Sequence, residues 1–320
     1  MEHSSSDHST TRWLQRQFAK EFRPSPMLRP SGARPSAESR GLTVTWLGTA
    51  SFLVESRTTR LAIDPYLTRA SFGTLLTRAL APDPVELERH LPSRLDAVLC
   101  GHSHFDHLLD APWIAQRFSA RLYGSSTTLA FGRAMNVPSP LLVDVPEQGA
   151  SFTIGDLEVS FVPSKHAKLF CGHVPFPGKV DQAPVRPRFW DFRMGGAFGI
   201  FVRGAGVNLY HNGSADLVDA ALSHERADAV LLGIAGWKKT PEYLGRILAT
   251  LEPRVVIPAH HDLFFTPLDA GAWLLPGVDF PRFLAGVEHI VPRATIVAPN
   301  YREPVWIAPE GRSAQIVQPA

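Results

Sequence analysis

The chain has 320 residues, of which 44% are hydrophobic and 19% charged, with 28 prolines, a composition of a globular protein that excludes disorder and collagen-like repeats. Thirty-two basic residues against 30 acidic ones leave a net charge of +2, so no global electrostatic pull toward nucleic acid or a membrane is expected. Only Cys100 and Cys171 are present, too few for a disulfide framework and consistent with a reducing compartment, and no stretch reaches the ~20 apolar residues of a membrane span or reads as a signal peptide. A cytoplasmic location is therefore expected.

In chain order, residues 1–40 form an arm rich in Arg, Ser and Pro, in which Leu14, Phe18 and Phe22 suggest a short amphipathic helix docking on the domain. Strand signals begin with Leu42 to Leu47, Ser51 to Val54 and Leu61 to Ile63, around a Gly48-Thr49 turn. A helical piece near Glu86 precedes a short strand over 96–100. Helices are then expected over 108–118 and 127–135, and hairpins over 152–162 and 197–210. After a helix over 215–222 and a strand over 229–234, Thr240 reads as an N-cap with Pro241 at the first helical position. A strand over 254–257 then delivers Pro258-Ala259-His260-His261. Groups of strands separated by helices indicate an α/β sandwich. The expected boundaries are an arm at 1–40, one domain at 41–310 and a tail at 311–320.

The densest chemical signal is Gly101-His102-Ser103-His104-Phe105-Asp106-His107 directly after a strand. In an extended turn His102 and His104 share parity and can enter one site, while Asp106 and His107 at the next helix start can face a neighbouring one. Imidazole and carboxylate donors suit Zn²⁺, with Fe or Mn as alternatives. An exposed polar loop is the competing reading. It does not account for the further histidines, His166 and His260, at the ends of other strands, where sites of α/β proteins form.

His102-Ser103-His104-Phe105-Asp106-His107 resembles the H-x-H-x-D-H motif of the metallo-β-lactamase superfamily. Thr45-Trp46-Leu47-Gly48-Thr49-Ala50-Ser51-Phe52 and Leu61-Ala62-Ile63-Asp64-Pro65 resemble the opening strands of its branch containing N-acyl phosphatidylethanolamine phospholipase D and the ascorbate-phosphate lactonases. The resemblance implies a four-layer αββα sandwich over residues 42–300, binding one or two Zn²⁺ ions. It implies that His102, His104 and His166 hold the first metal and Asp106, His107 and His260 the second. Asp64 would support them from behind, and His261 is the alternative to His260. The implied activity is hydrolysis by a metal-bound hydroxide, formed from a water that Asp106 would orient and whose proton it would accept. One departure stands out: where the family carries Gly-Asp-Thr, this chain has Asn212-Gly213-Ser214-Ala215. Ser214 occupies the place of the carboxylate that bridges the two metals, so a weaker second metal is expected, with His211 or Asp216 as alternative compensators.

Residues 165–193 carry Lys165, Lys168, Lys179, Arg186, Arg188 and Arg193 against Asp181 and Asp191, together with Phe170, Phe176, Phe189, Trp190 and Phe192. One reading is a lid over an anionic, partly apolar substrate, with Lys165, Arg186, Arg188 and Trp190 as contacts; the other is a surface loop with solvated charges. The loop from Tyr66 to Leu91 is expected to wall the opposite side. A zinc hydrolase acting on a phosphodiester or other small or lipid-like anionic ester is the leading expectation. A lactone or amide hydrolase comes second, and a metal-binding or sensing module without turnover is the alternative from another class. No nucleic-acid partner is expected.

Overall fold

In β1 (Leu42–Trp46), β2 (Phe52–Glu55) and β3 (Arg60–Ile63) the side chains alternate between two apolar environments rather than between core and water. Leu42, Val44, Trp46, Phe52, Val54, Leu61 and Ile63 point to one cluster, whereas Leu53 and Ala62 point to another on the opposite face. A strand buried on both faces needs a layer on each side, and this requirement sets the architecture. The computed structural model describes residues 19–33, 36, 38–169, 171–309 and 314–318. Leu14, Phe18 and Phe170 lie outside them.

β3 continues in parallel through β4 (Ala97–Leu99), β5 (Arg121–Gly124) and β6 (Leu142–Asp144). On the other side β1 pairs antiparallel with β14 (Pro304–Ile307), which pairs with β15 (Ala314–Ile316), closing an eight-stranded sheet. The second sheet starts with the antiparallel strands β7 (Ala150–Ile154), β8 (Leu157–Pro163), β9 (Phe198–Gly204) and β10 (Val207–Asn212). It ends with the parallel strands β11 (Ala229–Gly233), β12 (Val255–Ala259) and β13 (Thr295–Ile296). The same alternation recurs here: Ile200, Val202, Leu209 and Ile257 enter the inter-sheet core, and Phe201, Tyr210 and Val256 the outer one.

Helices cover both outer faces. α1 (Phe72–Thr77), α2 (Pro84–His90), α3 (Phe105–Leu108), α4 (Ala111–Phe118) and α5 (Ser126–Ala134) supply the layer on the first sheet. α6 (Asp219–Leu222), α7 (Tyr243–Leu251) and α8 (Phe280–Ile290) supply the layer on the second. The result is the expected αββα sandwich. None of the helices among the described residues is long and apolar enough to cross a membrane.

Several local expectations are corrected. The helix expected over 108–118 splits at Asp110 into α3 and α4, with Pro112 in the first turn of α4. The helix expected over 215–222 is reduced to α6, because Ala215 takes a left-handed conformation (φ 53°) and bridges to His166. Thr240 does not cap α7. Its hydroxyl donates to the Ala215 carbonyl at 2.8 Å, and Glu242, at φ 50°, precedes the helix instead. The boundary at 310 falls inside a sheet, since Ala314–Ile316 is the edge strand β15 rather than a tail. The described part of the arm is also tied down. The Phe22 amide donates to Ala272 O (2.8 Å), the Ile316 amide to Pro30 O (2.7 Å), and the Gly32 amide to Ile316 O (3.0 Å).

Candidate metal centre

The site is built where strands of both sheets end. β3 runs into Asp64, whose left-handed backbone (φ 45°) turns its carboxylate back toward the end of β4. There the Gly101 amide donates to Asp64 Oδ1 (2.6 Å), and His107 Nδ1 donates to Asp64 Oδ2 (2.9 Å). Two glycines make this fit achievable: a Cβ at Gly101 would lie 3.2 Å from Asp64 Oδ2 and one at Gly213 only 2.9 Å. A carboxylate behind a histidine fixes its tautomer and leaves the other ring nitrogen, here Nε2, to a ligand. α3 begins just after His104, which places Asp106 and His107 in its first turn.

The rings converge tightly. His102 lies 3.8 Å from His107, 4.7 Å from His104 and 5.0 Å from His166 between centroids, and His104 lies 4.8 Å from His166. His260, delivered by β12, has its Nε2 3.2 Å from Asp106 Oδ2, which is 3.7 Å from His107 Nε2. Within each of the sets His102/His104/His166 and Asp106/His107/His260, one donor atom per residue lies within 4.8 Å of the others. Backbone carbonyls orient two more rings: His104 Nε2 donates to Pro175 O (2.9 Å) and His166 Nδ1 to Ala167 O (2.8 Å). His102 Nε2 and His260 Nδ1 are buried with no hydrogen-bond partner. Five imidazoles, one carboxylate and two buried ring nitrogens lacking a partner match the donor chemistry of a divalent transition metal.

Burial sets the charge state. It lowers His102 far below the ordinary imidazole range, His104 to about 4 and His166 to about 3, with the neighbouring histidines adding to the effect. Neutral rings are the form that binds metal. Burial alone would also lower His107, but Asp64 and Asp106 reverse it and raise the ring. Burial would push the Asp106 carboxyl up, yet the His107 and His260 rings hold it well below the usual carboxylate range.

Ser214 lies at the end of β10, but its hydroxyl donates to Lys165 O (2.8 Å) and sits 3.2 Å from Asn212 Oδ1. Of the alternatives, His211 lies behind the donors, its Nε2 4.0 Å from Asp64 Oδ2, and Asp216 is engaged elsewhere. His211 Nε2 donates to Ala50 O (2.9 Å), and Asp216 accepts from the Leu217 amide and lies 3.5 Å from Arg246 Nη1. His261 is fully buried, with its ring 4.6 Å from Trp46 and 4.4 Å from Phe22, and neither nitrogen finds a partner. It is therefore placed in an aromatic stack rather than among the donor atoms.

Two residues of the segment 165–193 beyond the His166 strand end lie beside His104. The parts that reach it are the Pro175 carbonyl and the Phe176 ring, 6.3 Å from His104. Lys165 and Arg186 are exposed, and the Arg188 guanidinium lies over Trp190 at 5.2 Å. The Leu80 amide donates to Pro187 O (2.6 Å), joining this segment to the 66–91 loop.

Sequence reasoning missed a second layer. Asp262 accepts from the Thr49 amide (2.9 Å), Arg69 Nη2 (2.7 Å) and the Tyr301 hydroxyl (2.7 Å), with both charged side chains almost wholly buried. The His260 amide in turn donates to Thr49 O (2.7 Å), so this ion pair anchors the last donor of the site. Asp110 holds the 66–69 turn by accepting from the Leu67 and Thr68 amides (2.6 and 2.8 Å). The only available signal was that Arg69 and Asp262 stand close to motif residues.

Residues 43–260 match the model of the β-lactamase superfamily domain. A UPF0173 metal-dependent hydrolase of Anaeromyxobacter sp. strain K is 31% identical over 245 residues, covering 72% of this chain and 79% of the relative. Among solved structures, Igni18, a metallo hydrolase from Ignicoccus hospitalis, superposes with a TM-score of 0.53 at 18% identity, over 83% of this chain and 98% of that one. CmlA, a diiron β-hydroxylase from Streptomyces venezuelae, superposes with a TM-score of 0.54 at 14% identity, over 86% of this chain and 55% of that one. These two likenesses concern the fold.

Proposed function

Because the chain belongs to the UPF0173 metal-dependent hydrolases of the β-lactamase superfamily, we propose that it is a zinc hydrolase acting on a phosphodiester or another anionic ester. The observation that carries this reading is the pair of three-residue donor sets, His102/His104/His166 and Asp106/His107/His260, meeting in one buried centre. These residues would hold the metal. When bound, the cation lowers the pKa of water to near 7 and draws charge from the oxygen under attack.

The chain's own groups do the rest. Asp64 keeps the His107 proton on Nδ1, and the carbonyls of Pro175 and Ala167 do the same for His104 Nε2 and His166 Nδ1. Asp106, ionised and turned to His260, orients the attacking water by accepting its hydrogen bond. The basic residues of 165–193 give the surface of that segment a positive surplus, which supports an anionic substrate only as far as approach to the site and not as a contact at the donors. A lactone or amide hydrolase is the second reading, favoured because the groups of that segment at the centre are Pro175 O and Phe176 rather than a cation.

The test is metal analysis of protein purified without chelator, followed by assay on bis(p-nitrophenyl) phosphate, a lactone panel and a chromogenic β-lactam. Phosphodiester turnover that dipicolinate abolishes and Zn²⁺ restores is the expected result. Lactone turnover alone would select the second reading. Bound zinc with no turnover of any substrate would point to a binding module, for which Ser214 in place of a bridging carboxylate is the supporting feature.

A further inference from the structure

Leaving the centre at His104, a continuous path of rings returns to it at His260. Phe176 lies 6.3 Å from His104, Phe189 lies 5.4 Å from Phe176, and Phe105 lies 6.4 Å from Phe189. Phe264 lies 6.3 Å from Phe105 and 5.3 Å from His260. The four phenylalanines come from three segments: the start of α3, the 165–193 segment and the stretch after β12. Phe105 is buried, but Phe176 beside His104, Phe264 beside His260 and Phe189 beside Phe176 each stay partly exposed. Phe189 and Phe264 pack in part against the outer apolar cluster of the first sheet and leave the remainder of their surface exposed.

Among the described residues no Arg or Lys of the segment lies over one of these four rings. Arg186 is exposed, Arg188 lies over Trp190, and Lys179 pairs with Glu147. The groups of the segment that contact His104 are the Pro175 carbonyl and the Phe176 ring, so a ligand at the donor residues would meet aromatic faces on the arc.

We propose that Phe176, Phe189 and Phe264 form a subsite for an apolar, ring-sized group next to the scissile bond, so that the substrate is an ester with a bulky apolar substituent rather than a compact anion. The proposal rests on the hydrolase reading above and narrows its substrate class. These rings are specificity-determining groups: they act on the binding of one substituent, and the metal centre acts on the bond.

The experiment is isothermal titration of the zinc-loaded full chain with phenylphosphonate and methylphosphonate, which share a headgroup and differ in the apolar part. The expected result is that phenylphosphonate binds at least ~10-fold tighter, and that Phe264→Ala and Phe189→Ala each remove most of this preference while leaving methylphosphonate within ~2-fold. Equal affinities in the parent protein overturn the subsite, and this arm needs no variant to fold. An undiminished phenyl preference in both variants overturns its assignment to these rings. If neither phosphonate binds, and no ester is turned over, the hydrolase reading itself fails and takes the subsite with it.

Discussion

At Ser214 the hydroxyl proton is committed to the Lys165 carbonyl, and the side chain ties the end of β10 to the segment that carries His166. If Ser214 stands where the superfamily carries its bridging carboxylate, two bound cations would have one negative charge fewer between them. Two cations at the ~3.5–4 Å spacing of two-metal sites repel one another with less compensation, so one binds more weakly. Zinc titration of the apoprotein should resolve a tight step and a weak step. Ser214→Ala should shift neither by more than ~3-fold while lowering stability by about 1 kcal/mol, the net worth of a lost hydrogen bond. Ser214→Asp should strengthen the weak step if its carboxylate swings off Lys165 O. Two equally tight steps in the parent protein would show that another group already supplies the missing charge.

At the scale of elements, the ends of β3 and β12 and the β1–β2 turn are held in register by one buried ion pair. Thr49, Arg69 and His260 all sit at positive φ (50°, 45° and 53°), a costly conformation for such residues that the surroundings must enforce. Asp262 touches two of them directly and His260 through the Thr49 carbonyl. Asp262→Asn leaves the Arg69 guanidinium buried without its counter-charge, and a loss of about 3–5 kcal/mol in urea unfolding is expected. The pH dependence follows from the direction of the shift. Burial raises the Asp262 carboxyl, but Arg69 and its other partners hold it below its ordinary value. Its contribution is complete above the unfolded carboxylate range of about 3.9 and is lost as pH falls through the depressed folded value. The stability gap between parent and variant, measured on chelator-treated protein, should narrow from pH 7 toward pH 3. A gap that widened with acid would contradict the ion pair.

Across the whole molecule, the described part of the arm behaves as a strap. Phe22 is buried against His261 (4.4 Å) and Phe280 (4.8 Å), and residues 28–32 bond to both the Ala298 region and β15. The arm thus ties the two sheets together behind the metal centre. Phe22→Ala removes a large buried ring, and a loss of about 3–5 kcal/mol is expected, read as a lower thermal midpoint of the chelated protein. An unchanged midpoint would mean that the strap is dispensable to the fold.

The sandwich was legible in the sequence because strands buried on both faces read as near-continuous apolar runs, and the order of those runs leaves few ways to stack them. The convergence of His102, His104, Asp106, His107, His166 and His260 was legible for a related reason. Each follows a strand, and strand ends of one polarity gather at one edge of a sandwich. What stayed hidden depended on partners distant in the chain. Ser214 reads as a candidate support for a metal until its hydroxyl is found on Lys165, and His261 reads as an alternative donor until it is found stacked between Trp46 and Phe22. Thr240 carries the signature of an N-cap, yet a tertiary bond to Ala215 takes its hydroxyl. The basic residues of 165–193 suggest a charged lid, while the folded segment offers the centre a carbonyl and aromatic rings. Sequence by itself determined which side chains arrive at the site, because periodicity and strand ends are local properties. Only the tertiary structure decided which atom each of them presents, because that choice belongs to whichever distant donor or acceptor lies within three ångströms.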